Sequence, residues 1–338
     1  MNKKDQIGIF GLDYHNSLEN FYINAFKKLK YNNIKFLDNK NYFYIFCFLK
    51  KFENKFFFKI FNYFQKIKVK KFLSNNHIKT MIIFKGMELN SDIYKIFKKK
   101  KIKLINIYTD DPFNFSSDAT SSSNIIENIK NFDLFCIWSK KLKKKLEKKF
   151  KKNTFFYLPF AYAEDKHFKI EKSIKKNKIS FIGSYDARRF KLLDRLNKKI
   201  DIYGNAWPVF KKHKTYPFIQ GKELSKIVAG SEVCLNILKK QNFSSHNMRT
   251  FEIASMGGLM LTHRSSEQNG FFQENKACFM FEGIEELNKK IDYILKNPKK
   301  ALMVRKKGYS IIKKHSYTER LKSLIKYILK NEKLYNIK

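Results

Sequence analysis

Short apolar runs alternate with longer amphipathic stretches along most of this chain. In the first half, residues 7–12, 80–84, 104–108, 134–138 and 155–158 predict strands. In the second half, residues 179–183, 200–203, 233–237, 259–262 and 278–281 do the same. Lysine-rich stretches with helical periodicity, such as 91–100 and 139–152, lie between them. Strands alternating with helices predict an α/β chain built on parallel sheets covered on both faces. A length of 338 residues suits two domains. Residues 161–178 are polar with few apolar positions and form the expected linker. That places the domains at 1–165 and 175–316, followed by a C-terminal segment 317–338. Nine of the twelve glycines lie after residue 180, so backbone that must approach a ligand closely is expected in the second domain. No internal repeat is visible.

Composition alters this picture in one respect. Hydrophobic residues make up 43% and aromatics 16%, ample for two cores, so global disorder is excluded. The formal charge of +41 by itself suggests a nucleic-acid partner. The basic residues are nearly all lysine, however, with arginine only at 188, 189, 195, 249, 264, 305 and 320. Lys, Asn, Ile, Phe and Tyr are enriched together, as an AT-rich coding sequence produces without selection for binding. The arginine geometry that nucleic-acid sites exploit is missing, and no nucleic-acid partner is expected. An excess of lysine still favours acidic surfaces, anionic lipid included. Residues 41–73 set thirteen Phe and Tyr side chains among lysines. As a helix this stretch either lies peripherally on an anionic membrane or packs in a core where coding bias supplies phenylalanine. Cys47, Cys136, Cys234 and Cys278 show neither disulfide nor zinc spacing. The first residues carry no signal-peptide core, and no apolar run approaches the ~20 residues of a spanning helix. A cytoplasmic chain is expected, at most peripheral to the inner face of the membrane.

Residues 247–262 carry the most information. Ser244 and Ser245 offer N-cap oxygens, ten helical residues follow, Gly257-Gly258 stop the helix, and a short apolar strand begins. Such a helix presents free N–H groups to an anion and sets Arg249 and Glu252 one turn apart on a shared face. An arginine suits a diphosphate, and a carboxylate accepts both hydroxyls of a ribose. The pattern reads as a nucleotide-sugar pocket; the plain alternative is a surface helix with an Arg–Glu pair. Upstream, a strand ends in Gly183-Ser184 and a helix begins near Asp186 with Arg188 and Arg189 in its first turns. That arrangement receives a phosphate or is simply a capped helix with solvated arginines. It lacks both the dinucleotide and the Walker glycine patterns. Tyr203-Gly204-Asn205-Ala206-Trp207 follow another strand, with Gly204 allowing close backbone approach.

These elements together resemble the CgeB-like glycosyltransferases, within the broader GT-B group. In the second half the matching residues are Phe181-Ile182-Gly183-Ser184 with the following arginines, Tyr203-Gly204-Asn205, and Asn247-x-Arg249-x-Phe251-Glu252-Ile253-Ala254 ending in Gly257-Gly258. The first half contributes Lys85-Gly86-Met87-Glu88, Tyr108-Thr109-Asp110-Asp111-Pro112-Phe113, Trp138-Ser139-Lys140 and Tyr157-Leu158-Pro159-Phe160-Ala161, in the family's order. The resemblance implies two Rossmann-like domains facing a cleft, with the N-terminal domain on the acceptor side and the donor held mainly by the second. It also implies a final helix, about 317–335, packing back toward the first domain. Glu252 then matches the second glutamate of the retaining enzymes' paired-glutamate motif, the one that binds ribose. Eight residues earlier stands Ser244 instead of Glu, which leaves retention or inversion open.

Transfer needs a stabilised nucleoside-diphosphate leaving group and an activated acceptor hydroxyl. Preorganised arginines and helix N–H groups serve the first need. Arg188, Arg189 and Arg249 are the candidates, with the N–H groups around Ser244–Asn247, Ser245 among them, assisting. Asp13 and His15 in the loop after the first strand, and Asp110 at a later strand end, are the candidate bases, since ligands collect at the carboxyl ends of parallel strands. For Asp13 and His15, turn and cap chemistry is the alternative. Asp110-Asp111 lack the context of a metal-binding pair, and neither metal nor cofactor is expected. The expected partners are a nucleotide-sugar donor and a glycan, or a protein- or lipid-linked acceptor. Two other classes stay open: a GT-B shell that binds without turnover, and a basic nucleic-acid-binding protein marked by tight, salt-dependent binding.

Overall fold

The computed structural model describes residues 3–52, 54–115, 120–170 and 178–331. The chain divides into two compact units, one of Met1–Pro159 with Thr318–Lys338 and the other of Phe160–Tyr317.

Six described strands of the first unit form one parallel sheet. They are β1 (Gln6–Gly11), β2 (Ile34–Asp38), β3 (Ile78–Phe84), β4 (Lys103–Tyr108), β5 (Leu134–Ile137) and β6 (Phe155–Tyr157), in the order β2-β1-β3-β4-β5-β6. The helices are α1 (Leu18–Lys28), α2 (Lys40–Leu49), α3 (Lys55–Ser74), α4 (Ser91–Lys99), α5 (Ser123–Asn128) and α6 (Lys140–Lys149). Side chains on both faces of β1, β3 and β4 are buried, among them Ile9, Phe10, Ile82, Ile83, Leu104 and Ile105, as a parallel sheet covered on both sides requires. Local chemistry sets the helix starts. Ser17, Asn54, Asn90 and Ser139 each accept a hydrogen bond from a backbone N–H of the following turn. Asn54 also divides the aromatic stretch 41–73, expected as one helix, into α2 and α3; residue 53 lies outside the described residues.

The second unit repeats the plan. Strands β7 (Ile179–Ile182), β8 (Asp201–Tyr203), β9 (Lys214–Tyr216), β10 (Val233–Asn236), β11 (Met260–His263) and β12 (Phe279–Phe281) pair in parallel in the order β12-β11-β10-β7-β8-β9. Around them lie α7 (Ala187–Asp194), α8 (Gly221–Gly230), α9 (Met248–Ser255), α10 (Ser266–Phe271), α11 (Ile284–Lys296) and α12 (Pro298–Ile311). The core joins Phe181, Ile202, Leu235, Leu261 and Phe279 from five of the strands to Leu287 and Ile291 of α11. The last helix, α13 (Tyr317–Lys330), falls almost wholly in the first unit, where Tyr327 packs on Phe156 at 4.6 Å and Arg320 Nε donates to Pro159 O at 3.2 Å. Residues 332–335, the end of the expected final helix, lie outside the described residues.

Three sequence expectations differ from these elements. Strands β2 and β9 were not anticipated, and both are sheet edges; β9 is exposed at all three positions and carries no apolar run to announce it. The described part of the expected linker, 161–170, belongs to the second unit, and 171–177 lie outside the described residues. Polar composition misleads there because backbone contacts anchor the segment: Tyr162 N–H donates to His315 O at 3.3 Å, and Tyr317 N–H to Tyr162 O at 3.1 Å. Thirdly, α9 begins later than expected, after Asn247.

The strand orders locate the sites. In each sheet the winding reverses once, between β1 and β3 in the first and between β7 and β10 in the second. Loops leaving the carboxyl ends of such a strand pair part to opposite faces and open a crevice between them.

Candidate functional site

In the second unit, the residues singled out in the sequence gather where β7 and β10 end. After β7 the chain passes through Gly183 and Ser184, and after β8 through Gly204. These two loops press backbone to backbone: Gly183 N–H donates to Tyr203 O at 2.9 Å, and Trp207 Nε1 donates to Gly183 O at 2.8 Å. A Cβ on Gly204 would stand 2.1 Å from Gly183 O, so only glycine permits this approach. Tyr203 is buried, stacked on Tyr216 at 4.8 Å, and Asn205 is exposed beyond it.

The first turn of α7 is arranged differently from the phosphate cradle expected. Asp186 caps the helix, its Oδ1 accepting from Arg188 N at 3.1 Å and Arg189 N at 3.2 Å, so its own carboxylate occupies those N–H groups. Arg188 is exposed. Arg189 turns inward, with Nε donating to Ile237 O at 2.9 Å and Nη1 to Ser184 O at 3.2 Å. It therefore ties the end of β7 to the end of β10, across the crevice's floor. Burial lowers its pKa to about 10, and the same buried cation, after burial itself, holds His263 down at about 4.

Helix α9 supplies the paired charges. Asn247 caps it, accepting from Thr250 N at 3.0 Å, while Thr250 Oγ1 accepts from Asn247 N at 3.3 Å. Asn247 also exchanges side-chain hydrogen bonds with Asn236 at the end of β10, at 2.9 and 3.1 Å. Ser245 is fully buried and is not the cap; its hydroxyl donates to Glu267 Oε2 at 2.8 Å. Helix α9 stops where expected: Gly257 adopts φ +74°, and a Cβ on Gly258 would meet Val228 Cγ1 at 2.5 Å.

Glu252 is nearly buried, and two groups orient its carboxylate. Arg249 Nη1 lies 2.7 Å from Oε2, and His167 Nε2 lies 3.7 Å from Oε1. His167 Nδ1 accepts from Ala163 N at 3.1 Å, so the neutral ring carries its proton on Nε2, facing the carboxylate. Burial holds the His167 pKa below its ordinary value, keeping the ring neutral near pH 7. Sequence reasoning missed His167 because it lies in the segment taken for a linker, far along the chain from Glu252. Its only signal is a histidine in a stretch otherwise dominated by short-range polarity.

Of the three candidate bases, all in the first unit, Asp13 and His15 lie exposed in the loop after β1, with Asp13 Oδ1 accepting from Asn20 Nδ2 at 3.4 Å. Asp110, after β4, pairs with Lys85 Nζ at 2.7 Å. Among the described residues no group of three or more His, Cys, Asp or Glu side chains is placed to hold a metal ion. No described helix is long and apolar enough to cross a membrane.

Residues 188–326, less than half of the chain, match a protein family described as glycosyl transferase-like; α7 from Arg188 onward, Arg249 and Glu252 fall inside the match. No curated protein matches the chain. Solved structures do. TarM is similar at 14% identity and a TM-score of 0.59, over 77% of this chain and 57% of that one. The DNA-modifying β-glucosyltransferase, solved with and without its substrate uridine diphosphoglucose, is similar at 14% identity and a TM-score of 0.59, over 96% and 98%. HepE of Anabaena, in complex with UDP, is similar at 9% identity and a TM-score of 0.63, over 96% and 100%. The chain thus spans 57% of the length of TarM and nearly the full length of the other two. The likeness is one of fold, and the fold is GT-B: two α/β units, each on a parallel six-stranded sheet.

Proposed function

We propose that the chain is a glycosyltransferase of the CgeB-like group that moves a sugar from a nucleotide-sugar donor, bound by the second unit, to a glycan or a protein- or lipid-linked acceptor. The observation that carries this reading is Glu252, a carboxylate oriented by Arg249 and His167 on a helix beside the crevice between β7 and β10. A carboxylate so held accepts both hydroxyls of a ribose, and Arg249 beside it stabilises charge gathering on a departing diphosphate. Gly183, Ser184, Tyr203, Gly204 and Asn205 supply the crevice's backbone, and Arg188 is the second cation able to reach a phosphate. Arg189, Asn247 and Ser245 act on the donor through the elements they position. The family match over this segment supports the reading. The UDP and uridine diphosphoglucose bound by similar structures make UDP the first nucleotide to test. Asp13, His15 or Asp110 takes the acceptor's proton, and the transfer proceeds without a metal.

The test is a thermal-shift titration with UDP, GDP, ADP, CMP and dTDP, with and without magnesium, on the wild type and Glu252→Ala. One nucleotide is expected to raise Tm selectively. Glu252→Ala should weaken its binding roughly tenfold or more, at about 1.5–3 kcal/mol for a hydrogen bond to a charged group, with little loss of fold stability. Equal nucleotide affinity in the two proteins would remove Glu252 from the site. If UDP binds but neither sugar transfer nor donor hydrolysis follows, the chain is a binding shell.

The aromatic stretch supports peripheral attachment to an anionic membrane at the cytoplasmic face. Phe48, Phe52, Phe56 and Tyr63 are 59%, 62%, 66% and 62% exposed on α2, α3 and the turn between them, with lysines alongside. Rings able to enter the headgroup region beside cations that attract it suit that surface.

A further inference from the structure

The crevice of the first unit, at the reversal between β1 and β3, holds a pocket of about 150 Å³. That is well above the ~15 Å³ one water needs. Two carboxylic acids line it, Glu19 from α1 and Glu88 from the loop after β3, together with Lys85, Tyr14, Phe43 and Phe84. Glu88 is 2% exposed; its Oε1 accepts from Asn39 Nδ2, but its Oε2 is buried with no hydrogen-bond partner. An unsatisfied buried carboxyl oxygen is costly and calls for a donor. Glu19 is 7% exposed and accepts from Leu12 N at 3.0 Å, with its own backbone N–H and the Ser17 hydroxyl also directed at the carboxyl, whose two oxygens can accept about four hydrogen bonds in all. The one lysine in the pocket wall is already paired with Asp110 at 2.7 Å. Its charge is therefore offset before any ligand arrives, and two carboxyls oppose an incoming anion. The aromatic rings give apolar faces against which the C–H face of a sugar packs.

We propose that this pocket binds an uncharged sugar or polyol, whose hydroxyls donate to Glu88 Oε2 and to Glu19. In taking that ligand to be the acceptor of the transfer, the assignment rests on the transferase reading; the pocket's preference for a neutral, hydroxyl-rich molecule does not. The other charged and titratable groups around Glu88 are Glu19 of α1, Lys85 of its own loop, Tyr94 of α4, Tyr108 of β4 and Asp110 beyond it. Burial raises both carboxyls, Glu88 to about 7. An ionised carboxylate accepts more strongly than a neutral acid, so binding should strengthen as pH rises through about 7.

The experiment titrates the full chain with methyl α-D-glucopyranoside, glucose 1-phosphate, inorganic phosphate and UDP between pH 6 and 8, by thermal shift and calorimetry. The wild type should bind the uncharged glucoside with affinity rising with pH, and should bind phosphate no better in the absence of UDP. Glu88→Gln should weaken the glucoside about tenfold at the upper pH, at ~1.4 kcal/mol per tenfold, and abolish the pH dependence. Glu19→Gln should weaken it without abolishing that dependence. Circular dichroism and a cooperative thermal transition like the wild type's show that each variant is folded, and UDP binding in the second unit should be unchanged in both. A wild type that takes phosphate or glucose 1-phosphate in preference to the glucoside, or a Glu88→Gln protein that binds the glucoside equally well, overturns the assignment. UDP binding without glucoside binding also overturns it while sparing the donor site. Glucoside binding without any nucleotide binding upholds the pocket and overturns the transferase reading.

Discussion

Glu252 and Glu88 are both buried carboxyls at a crevice, yet their surroundings give them opposite characters. Glu252 faces a cation at 2.7 Å and an imidazole N–H, so its charge is already complemented. Glu88 receives an amide hydrogen from Asn39 and lies near Lys85, but burial outweighs these and pushes it up to about 7. The folded chain therefore holds the Glu88 proton more tightly than the unfolded chain does. Its contribution to stability is largest below the ordinary value of 4.5, falls as pH rises toward about 7, and is flat above that. At 1.36 kcal/mol per pH unit the change is at most about 3 kcal/mol. Urea unfolding of wild type and Glu88→Gln across this range should show the fall in the wild type and a flatter curve in the variant. Parallel curves would mean that Glu88 titrates normally.

Among the elements, α8, α9 and α12 depend on a single side chain. Arg305 of α12 donates from Nη2 to Ala229 O at 2.6 Å, from Nη1 to Ser231 O at 3.3 Å, and from Nε to Gly257 O. It thus meets carbonyls at the C-terminal ends of α8 and α9, where helices leave acceptors unsatisfied and a positive charge is favoured. Arg305→Ala strands these carbonyls in a partly buried site and should lower the unfolding free energy of the second unit by about 3 kcal/mol. Arg305→Lys should restore only part of that, because a point charge cannot serve three carbonyls. Thermal unfolding that leaves Arg305→Ala level with the wild type would contradict this. Sequence reading found ten of the twelve described strands and missed β2 and β9, because an edge strand half in water needs no apolar run. It placed the α9 cap at Ser244 or Ser245, whereas Asn247 takes it through bonds to Thr250 and Asn236, and the Asn236 bond comes from a different strand.

For the whole molecule, the charge of +41 is a field and not a site. Its lysines occur on nearly every helix, so attraction to acidic surfaces should be broad and strongly screened. The aromatic faces of α2 and α3 add a component that salt does not screen. Sedimentation with phosphatidylserine vesicles should show binding that weakens steeply with added salt and persists in part. Phe48→Ser with Phe56→Ser should abolish only the salt-resistant part. If the double variant matches the wild type at every salt concentration, these helices do not enter the bilayer.

By itself the sequence determined the α/β class, most strands, the stop of α9 at Gly257-Gly258, and the Arg249–Glu252 pairing. All of these rest on interactions within a few residues, where periodicity, capping and glycine conformation act. Tertiary structure alone decided that Arg189 faces inward to Ile237 and Ser184, that His167 reaches Glu252 from 85 positions away, and that Glu88 is buried beside Glu19 with one oxygen unsatisfied. Each of these depends on strand order bringing distant loops to one crevice. Local propensity does not encode that order, because it follows from how the sheets pair and bury their faces.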